Sequence, residues 1–225
     1  MTSKVVDLRD LLAKRFPHAP PAPRTTLITG LKSLDEITGG GFPIGAITEI
    51  ISPRLSAGSC SLIHSLVRAA RHDGYFVALI DGRDSFDPTA LNNSSALLWV
   101  RCQKVFEAIK ATDILLRDGN FPLLIVDLVL NAPEELRKIP QTSWYRLQRL
   151  AETTSTACLV LTRQNLVSSA QLKIVLENSW TLKTLENENA TARLRFRIQR
   201  SHLGSAVSHQ PPSSDYGEPR RSAVG

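Results

Sequence analysis

Apolar and polar residues alternate along most of the chain with two periods, one typical of strands and one typical of helices. Short apolar runs predict strands, and longer segments with apolar residues three and four apart predict helices. The strands are predicted over 46–51, 75–81, 97–101, 123–128 and 157–162, and the helices over 59–72, 103–118 and 141–153. Because strands and helices follow one another in turn, the pattern predicts an α/β fold with an open, doubly wound, mostly parallel sheet flanked by helices.

The beginning of the chain departs from this alternation. Four apolar side chains lie at helical spacing between charged residues of the segment 4–16: Val5, Leu8, Leu12 and Phe16. The residues 17–23 that follow contain four prolines, which cannot continue a helix. We therefore predict an N-terminal amphipathic helix and a proline-rich linker over 1–24. Such a helix can pack on its own domain or contact a partner, and the sequence leaves both uses open.

Beyond the linker, the sequence predicts a core over 25–204 and then a disordered tail. Residues 173–184 and 191–199 predict an antiparallel strand pair at the end of the core, joined by a polar turn. Residues 205–225 are rich in serine and proline and nearly lack apolar side chains, so they cannot bury enough apolar surface to fold.

Composition narrows the class of protein. The 225 residues are 42% hydrophobic, and no apolar stretch approaches the roughly 20 residues that span a bilayer. The first residues mix charged and apolar side chains, unlike a secretory signal, so we predict a cytoplasmic protein. The three cysteines form no C-x-x-C pair, and we expect no disulfide framework, metal or cofactor. The net charge of +6 permits contact with nucleic acid without requiring it.

The loop after the first strand stands where a phosphate-binding loop would lie. Such a loop needs glycines whose N–H groups wrap the phosphates, a lysine for the β- and γ-phosphates, and a serine or threonine for Mg²⁺. The candidate residues here are Ser52, Pro53, Gly58 and Ser59. No lysine occurs from 52 to 61, although a serine can take the metal position. We therefore expect no useful ATP hydrolysis and interpret the segment as a structural turn.

Polar residues follow three later strands as well. Asp81 can orient a water for phosphoryl transfer or cap the junction between strand and loop, and Arg83 comes two residues after it. Asp127 follows four apolar residues, a Walker B pattern that is also common in other α/β proteins. Gln164, just after another strand, can report a bound ligand. In a doubly wound sheet these positions meet at one edge, where ligands bind.

Taken in order, these features resemble the core of the RecA recombinases. The glycine-rich segment 29–50 looks very like the one that precedes RecA's phosphate loop, and 80–88 is similar to the strand with its catalytic glutamate. The resemblance implies that Asp127 stands at the Walker B aspartate. It likewise implies that Gln164 stands at the glutamine that reports the nucleotide state.

The departures from the RecA pattern point away from an enzyme. The phosphate loop lacks its lysine, and the resemblance places Arg83 at the catalytic glutamate, which reverses the charge. Ile198 and Arg200 stand where RecA has a lysine pair, so half of that pair is missing. The connections after the strands that carry Asp127 and Gln164 are also much shorter than RecA's DNA-holding loops.

This combination resembles the ImuA-like family of RecA homologues that have lost ATPase function, and the segments 97–102 and 115–123 carry the likeness. The resemblance implies a protein-interaction accessory factor in SOS-induced translesion DNA synthesis, associated with the nucleoid when active. It implies as partners a Y-family-polymerase-like accessory protein of the ImuB type, RecA and the error-prone replicative polymerase. Two alternatives stay open: an atypical nucleotide-binding RecA paralogue with weak ATPase activity and DNA binding, and a cell-division inhibitor of the SulA type.

A basic strand face near the end of the core is a candidate for weak DNA contact. Arginines alternate there with apolar residues, which places them on one face of a strand: Arg193, Arg195 and Arg197, with Arg200 close by. No aromatic residue shares that face to stack on bases, so a solvated face is the favoured interpretation.

Overall fold

The computed structural model describes residues 25–91, 96–181 and 194–201. The predicted N-terminal helix with Val5, Leu8, Leu12 and Phe16, the linker, the tail over 205–225 and Arg193 lie outside the described residues. No helix among the described residues is long and apolar enough to cross a bilayer.

A small antiparallel ribbon begins the described chain. Its strands are β1 (Thr26–Leu27) and β2 (Phe42–Pro43), and the short helix α1 (Lys32–Thr38) lies between them. Gly41 has a φ of 118°, and a Cβ atom there would collide with the carbonyl group of Leu27. The glycine-rich segment is therefore required by a close approach of two backbones, because only glycine fits that space and conformation.

A seven-stranded sheet forms the centre of the molecule. Its strands are β3 (Ala46–Ile51), β4 (Val77–Asp81), β5 (Leu97–Arg101), β6 (Leu123–Asp127), β7 (Ala157–Thr162), β8 (Leu172–Leu176) and β9 (Phe196–Ser201). They lie in the order β5-β4-β6-β7-β3-β8-β9, and all neighbours are parallel except β8 and β9. The predicted α/β architecture with a C-terminal antiparallel pair is confirmed.

Helices cover both faces of the sheet. On one face, α2 (Ser59–Asp73) buries Leu62 and Leu66 against strand residues such as Ile125. On the other face, α3 (Val105–Asp118) and α5 (Gln141–Thr154) bury residues such as Leu116 and Leu147 against the same strands. The short helix α4 (Pro133–Arg137) precedes α5. Strands buried on both sides explain why their sequences are apolar without alternation.

The last strand pair differs from the prediction in length and in its neighbours. β8 ends at Leu176, not at 184, and β9 begins at Phe196. After β8 the chain leaves the sheet: the Asn178 side chain accepts a hydrogen bond from the Arg195 N–H at 2.7 Å, and the Trp180 N–H donates to the Ser56 carbonyl at 3.0 Å. The pair is also part of the main sheet, because β8 pairs in parallel with β3.

A buried ion pair joins β3 to β8. Glu49 and Lys173 lie opposite each other in the register, both almost fully buried, with the Lys173 Nζ atom 2.7 Å from Glu49 Oε2. The other carboxylate oxygen of Glu49 accepts hydrogen bonds from the Leu166 N–H (2.7 Å), the Val167 N–H (3.1 Å) and the Thr162 hydroxyl (3.1 Å). One side chain thus holds a neighbouring strand and the loop between β7 and β8.

Replacing Lys173 with methionine should destabilise the protein by about 3–5 kcal/mol, because it leaves the Glu49 carboxylate buried without its cation. In the double variant K173M/E49Q no charge is left, so we expect part of this loss to be recovered. The measurement is urea unfolding at pH 7. As a control, K32M removes the ion pair of Lys32 with Glu36, which is largely exposed, and should change stability little. A K173M protein as stable as K32M would contradict this account.

Candidate functional site

Four loops meet at the carboxyl edge of the parallel strands. In the register, Asp81 at the end of β4 lies beside Asp127 at the end of β6, and Ile51 at the end of β3 lies beside Thr162 at the end of β7. This is the edge at which doubly wound sheets bind ligands. The sequence candidates Ser52, Asp81, Asp127 and Gln164 are therefore brought to one side of the molecule, as expected.

The loop between β3 and α2 is built as a closed turn. Ser52 is fully buried; its N–H donates to the Thr162 carbonyl at 2.7 Å and its hydroxyl to the Arg54 carbonyl at 3.1 Å. Pro53 is exposed, and the Leu55 side chain at the tip is 61% exposed. Ala57 belongs to the hydrophobic core that lies beneath α2. The buried groups of this segment therefore bond to and pack against the fold itself, which favours the interpretation of the segment as a structural turn.

Apolar side chains cover the last residue of this turn. Gly58 has a φ of 97°, and a Cβ atom on it would lie 2.7 Å from Leu194 Cδ2 and 3.2 Å from the Trp180 ring. Ser59, the first residue of α2, is buried beside it. In phosphate-binding loops the anion lies against the backbone N–H groups at this junction. In the direction of a Gly58 Cβ atom the space is occupied by Leu194 and the Trp180 ring.

Asp81 organises the loop that follows its own strand. It is buried, and its carboxylate accepts hydrogen bonds from the backbone N–H groups of Ser85 and Phe86, both at 2.7 Å, and of Arg83 at 3.2 Å. Both carboxylate oxygens are engaged by the chain itself. This geometry favours the capping interpretation of Asp81 over a role in orienting water.

Asp127 is a partly buried carboxylate that accepts fewer hydrogen bonds than Asp81 does. Its Oδ1 atom accepts one hydrogen bond, from the Val129 N–H at 3.0 Å. Burial raises the pKa of Asp127 to about 6; the Val129 N–H opposes this shift, and the negative charge of Asp81 adds to it. The surroundings of the acid at the Walker B-like position therefore disfavour its charged form.

Arg83 and Gln164 are both exposed at this edge of the sheet. The Arg83 side chain is exposed, and its Nη1 atom donates to the Gln103 carbonyl at 3.2 Å, after the end of β5. Gln164 is exposed, and its backbone carbonyl accepts a hydrogen bond from the Thr162 hydroxyl at 2.9 Å. Both candidates therefore lie at the edge of the sheet, and the Arg83 side chain is held by its hydrogen bond to the residue that follows β5.

His64 is a charged residue beside this site that the sequence analysis missed. Its Nδ1 atom lies 2.9 Å from the Cys60 carbonyl and 3.5 Å from the Cys60 sulfur, and its Nε2 atom lies 3.1 Å from the Asp87 carbonyl. The contact with the Cys60 side chain, followed by these carbonyl oxygens and against the effect of burial, raises the pKa of His64 to about 9. The imidazolium form satisfies both carbonyls, since each ring nitrogen then carries a proton. Sequence spacing indicates the contact with Cys60, four residues earlier, but not the one with Asp87.

The candidate basic face gains a member through a β-bulge. In the register Arg197 lies opposite Val175 and Arg200 opposite Lys173, so one residue of β9, Gln199, is extra. Strict alternation would turn Arg200 to the other face, but the bulge returns it to the face of Arg195 and Arg197. The Arg197 Nε atom donates to Glu177 at 2.6 Å, which reduces the net charge of this face. DNA contact stays a prediction, and the salt dependence of DNA affinity after reversal of Arg195 and Arg200 tests it.

Comparisons with known proteins give a RecA-like fold. No protein-family model matches the chain. It is similar to RecA of a Nocardioides strain, with 33% identity over 113 residues, and to RecA of Chlorobaculum parvum, with 32% over 106 residues. These matches cover 48% and 45% of this chain but only 32% and 30% of the relatives, so the chain matches about a third of their length. The crystal structure of the RadB recombinase superposes with a TM-score of 0.53 and 19% identity, covering 67% of this chain and 82% of that one. Together they show that the chain is similar to RecA proteins over about half of its length and to RadB in fold.

Replacing Asp127 with asparagine should stabilise the protein at neutral pH. A carboxyl whose folded-state pKa lies near 6, above its ordinary value of 3.8, lowers stability as pH rises from about 4 to 6, because the folded state then binds more protons than the unfolded state. D127N keeps an acceptor for Val129 and should gain about 2 kcal/mol at pH 7.5 and nothing near pH 3.5. The measurement is urea unfolding across this range.

The control for D127N is D84N, which should act in the opposite direction. Hydrogen bonds from Arg101 lower the pKa of Asp84, so ionised Asp84 supports the fold. D84N should therefore lose stability at neutral pH. If D127N and D84N shift stability in the same direction at pH 7.5, the assignment of strain to Asp127 is wrong.

Proposed function

We propose that this chain is a RecA-like protein that has lost ATP hydrolysis and acts through protein contacts, as an accessory factor in translesion DNA synthesis. The observation that carries the proposal is the covering of Gly58 by Trp180 and Leu194 in a loop without lysine. A Cβ atom on Gly58 would meet both side chains, and a phosphate at this junction would find no ammonium group in the loop.

The groups around the loop support the same conclusion. Phosphoryl transfer needs a residue that positions the attacking nucleophile and cations that neutralise the developing charge. At this edge the Asp81 carboxylate is engaged by backbone N–H groups, and the N–H groups of His64 are directed at carbonyl oxygens. Arg83 brings a positive charge to the position where the RecA resemblance places a catalytic glutamate. The polar groups are used to hold loops together.

We place the protein contact beside the edge strand β5, in a cleft at the amino-terminal ends of β4, β5 and β6. The segments 97–102 and 115–123 carry the resemblance to the ImuA-like family, and they meet in space although they are separated in sequence. Together with Phe76 they line a cleft of about 300 Å³ whose walls are Leu97, Leu98, Asn120 and Phe121. Phe76 is 58% exposed and Leu98 40%. Exposed apolar side chains at a sheet edge are typical of a protein-binding surface.

We propose that the occupant of this edge is the Y-family-polymerase-like accessory protein, with RecA and the error-prone replicative polymerase as further partners of the assembly. The family resemblance supplies the identity of these partners. The proposal is supported by the position of β5, which in the described residues pairs with β4 alone and leaves one edge open to another strand.

One observation favours a second function, atypical nucleotide binding with weak ATPase activity. The Asp127 carboxylate is raised in pKa and accepts a single described hydrogen bond, so a cation such as Mg²⁺ beside it would relieve its electrostatic strain. This alternative requires the turn over 52–59 to open. The covering of Gly58 by apolar side chains weighs against it.

Titration with Mg·ATP should show no saturable binding in the micromolar range and no release of phosphate, because the loop lacks the lysine that holds the β- and γ-phosphates. Calorimetry and a phosphate-release assay measure the two quantities, with a RecA protein as the positive control. Micromolar affinity together with turnover would overturn the proposal. Binding that D127N abolishes would instead favour the second function.

Substituting Leu98 with aspartate should weaken capture of the Y-family-like partner by at least about tenfold, because a charge would have to be buried at the docked edge. The matched control is I114D, which introduces the same charge at an exposed isoleucine of α3 outside this cleft. Partner affinities from biolayer interferometry, with thermal melts of both variants, make the comparison. Equal affinities of L98D and wild type would remove the partner from this edge.

A further inference from the structure

The three cysteines of the chain all lie among the described residues and differ in exposure. Cys60, the second residue of α2, is exposed, whereas Cys102 and Cys158 are 4% and 1% exposed. Burial raises the pKa of Cys158 to about 12, and burial followed by the charges of Glu107 and Asp81 raises the pKa of Cys102. Since the thiolate is the nucleophilic form, these two thiols are protected in the folded protein.

A cation lies beside the exposed thiol. The Nδ1 atom of His64, one helical turn later, lies 3.5 Å from the Cys60 sulfur and 2.9 Å from the Cys60 carbonyl oxygen, and its Nε2 atom lies 3.1 Å from the Asp87 carbonyl oxygen. A neutral ring has a single N–H and would turn a lone pair toward one of these carbonyls, so the contacts favour the imidazolium. The His64 pKa of about 9 keeps this form at neutral pH.

The other groups packed around His64 preserve its charge. The Phe86 ring, whose centroid is 4.8 Å from that of the imidazole, is uncharged. The Asp87 carboxylate accepts a hydrogen bond from the Thr89 N–H at 3.0 Å, and its negative charge favours the imidazolium. The amino-terminal end of α2 adds a partial positive charge at Cys60, because the first N–H groups of a helix have no acceptor within it. An anionic sulfur at this position is therefore stabilised from two directions.

We propose that Cys60 is a modification site that forms a mixed disulfide with small disulfides that carry carboxylate groups. The Cys60 thiolate attacks one sulfur of the small disulfide, a bond forms between that sulfur and Sγ, and the original S–S bond breaks. The other half of the reagent leaves as a thiolate. The imidazolium and the helix end attract the carboxylates of the reagent. A small thiol restores Cys60 by the reverse exchange.

The modification ends at the mixed disulfide. Cys102 and Cys158 belong to the core on the face of the sheet opposite α2. The sheet therefore separates both of them from Cys60, and neither can displace the attached group while the protein is folded. The site is a place for a reversible adduct and not half of an internal disulfide.

Reaction with dithiobis(nitrobenzoic acid) and with oxidised glutathione at pH 6.5 tests the proposal. An ordinary thiol, with a pKa near 8.5, is only about 1% ionised at this pH. Cys60 of the folded protein should therefore react at least about tenfold faster than a peptide of residues 55–62, which contains Cys60 and lacks His64. Peptide mapping by mass spectrometry should place the adduct on Cys60, and C60S should lose the fast reaction. Cys102 and Cys158 should react only after denaturant is added.

Two histidine variants of α2 separate the effect of the cation from that of exposure. H64Q should slow the reaction of Cys60 at least about tenfold at pH 6.5, and the difference should close near pH 10, where the His64 imidazole has lost its proton. The matched control is H72Q, because His72 is 88% exposed and pairs with Asp73. H72Q should react at the wild-type rate, and thermal melts should show that both variants are folded.

Three results would refute the inference. Reaction of the wild-type protein at the rate of the peptide would show that the fold does not activate Cys60. Equal rates of wild type and H64Q from pH 6.5 to pH 10 would remove His64 from the site. An adduct on Cys102 or Cys158 of the folded protein would place the reactive thiol elsewhere. The comparison with the peptide uses the wild-type chain, so it decides the question even if H64Q disturbs the loop that contains Asp87.

Discussion

The buried carboxylate of Glu49 is the constraint on which the architecture around the site depends. A buried charge in the middle of a sheet costs free energy unless it is paired and hydrogen-bonded, and Glu49 is paired with Lys173 of β8 and accepts hydrogen bonds from two backbone N–H groups of the loop after β7. These contacts place β8 beside β3 and fold the loop over 163–171 back onto the sheet. The asparagine in that loop, Asn165, also accepts a hydrogen bond from Lys173. The loop that carries Gln164 is thus held from within the sheet.

Other polar side chains along the carboxyl edge are also hydrogen-bonded within the fold. Asp81, Ser52 and His64 each direct their hydrogen-bonding atoms at nearby backbone groups, and Asn131 donates to the Gly82 carbonyl at 2.9 Å. In a catalytic site such atoms are kept available for substrate, held in position by other residues. Here they connect the loops to one another. This use of polar side chains fixes the loops relative to one another.

Periodicity alone predicted the seven main strands and three long helices, because each is buried along a continuous face and its pattern is local. It could not predict features set by distant contacts. Helix α1 was missed because its seven residues bury only Leu34 and Thr38. β8 was predicted too long because the turn of Trp180 toward Ser56 depends on a loop far away in sequence. The bulge at Gln199 and the contact of His64 with Asp87 likewise arise from pairing that no sequence window contains. For the site candidates, the sequence predicts that they meet at one edge of the sheet, but which of their atoms bond to the fold itself required the structure.

The ionised Asp127 carboxylate favours a bound cation, whereas the loop at Gly58 does not favour a bound phosphate. The free energies of the two effects can be compared. A pKa near 6 means that ionised Asp127 costs the fold at most about 3 kcal/mol at neutral pH, which is the free energy that a neighbouring cation would recover by removing the strain. The turn over 52–59 has no lysine to attract a phosphate, and a Cβ atom on Gly58 would meet Leu194, which is 2% exposed, and the Trp180 ring. Exposing a buried side chain of leucine's size costs about 2 kcal/mol, so moving Leu194 would offset most of the gain at Asp127. An opened turn therefore gains little free energy from a cation beside Asp127.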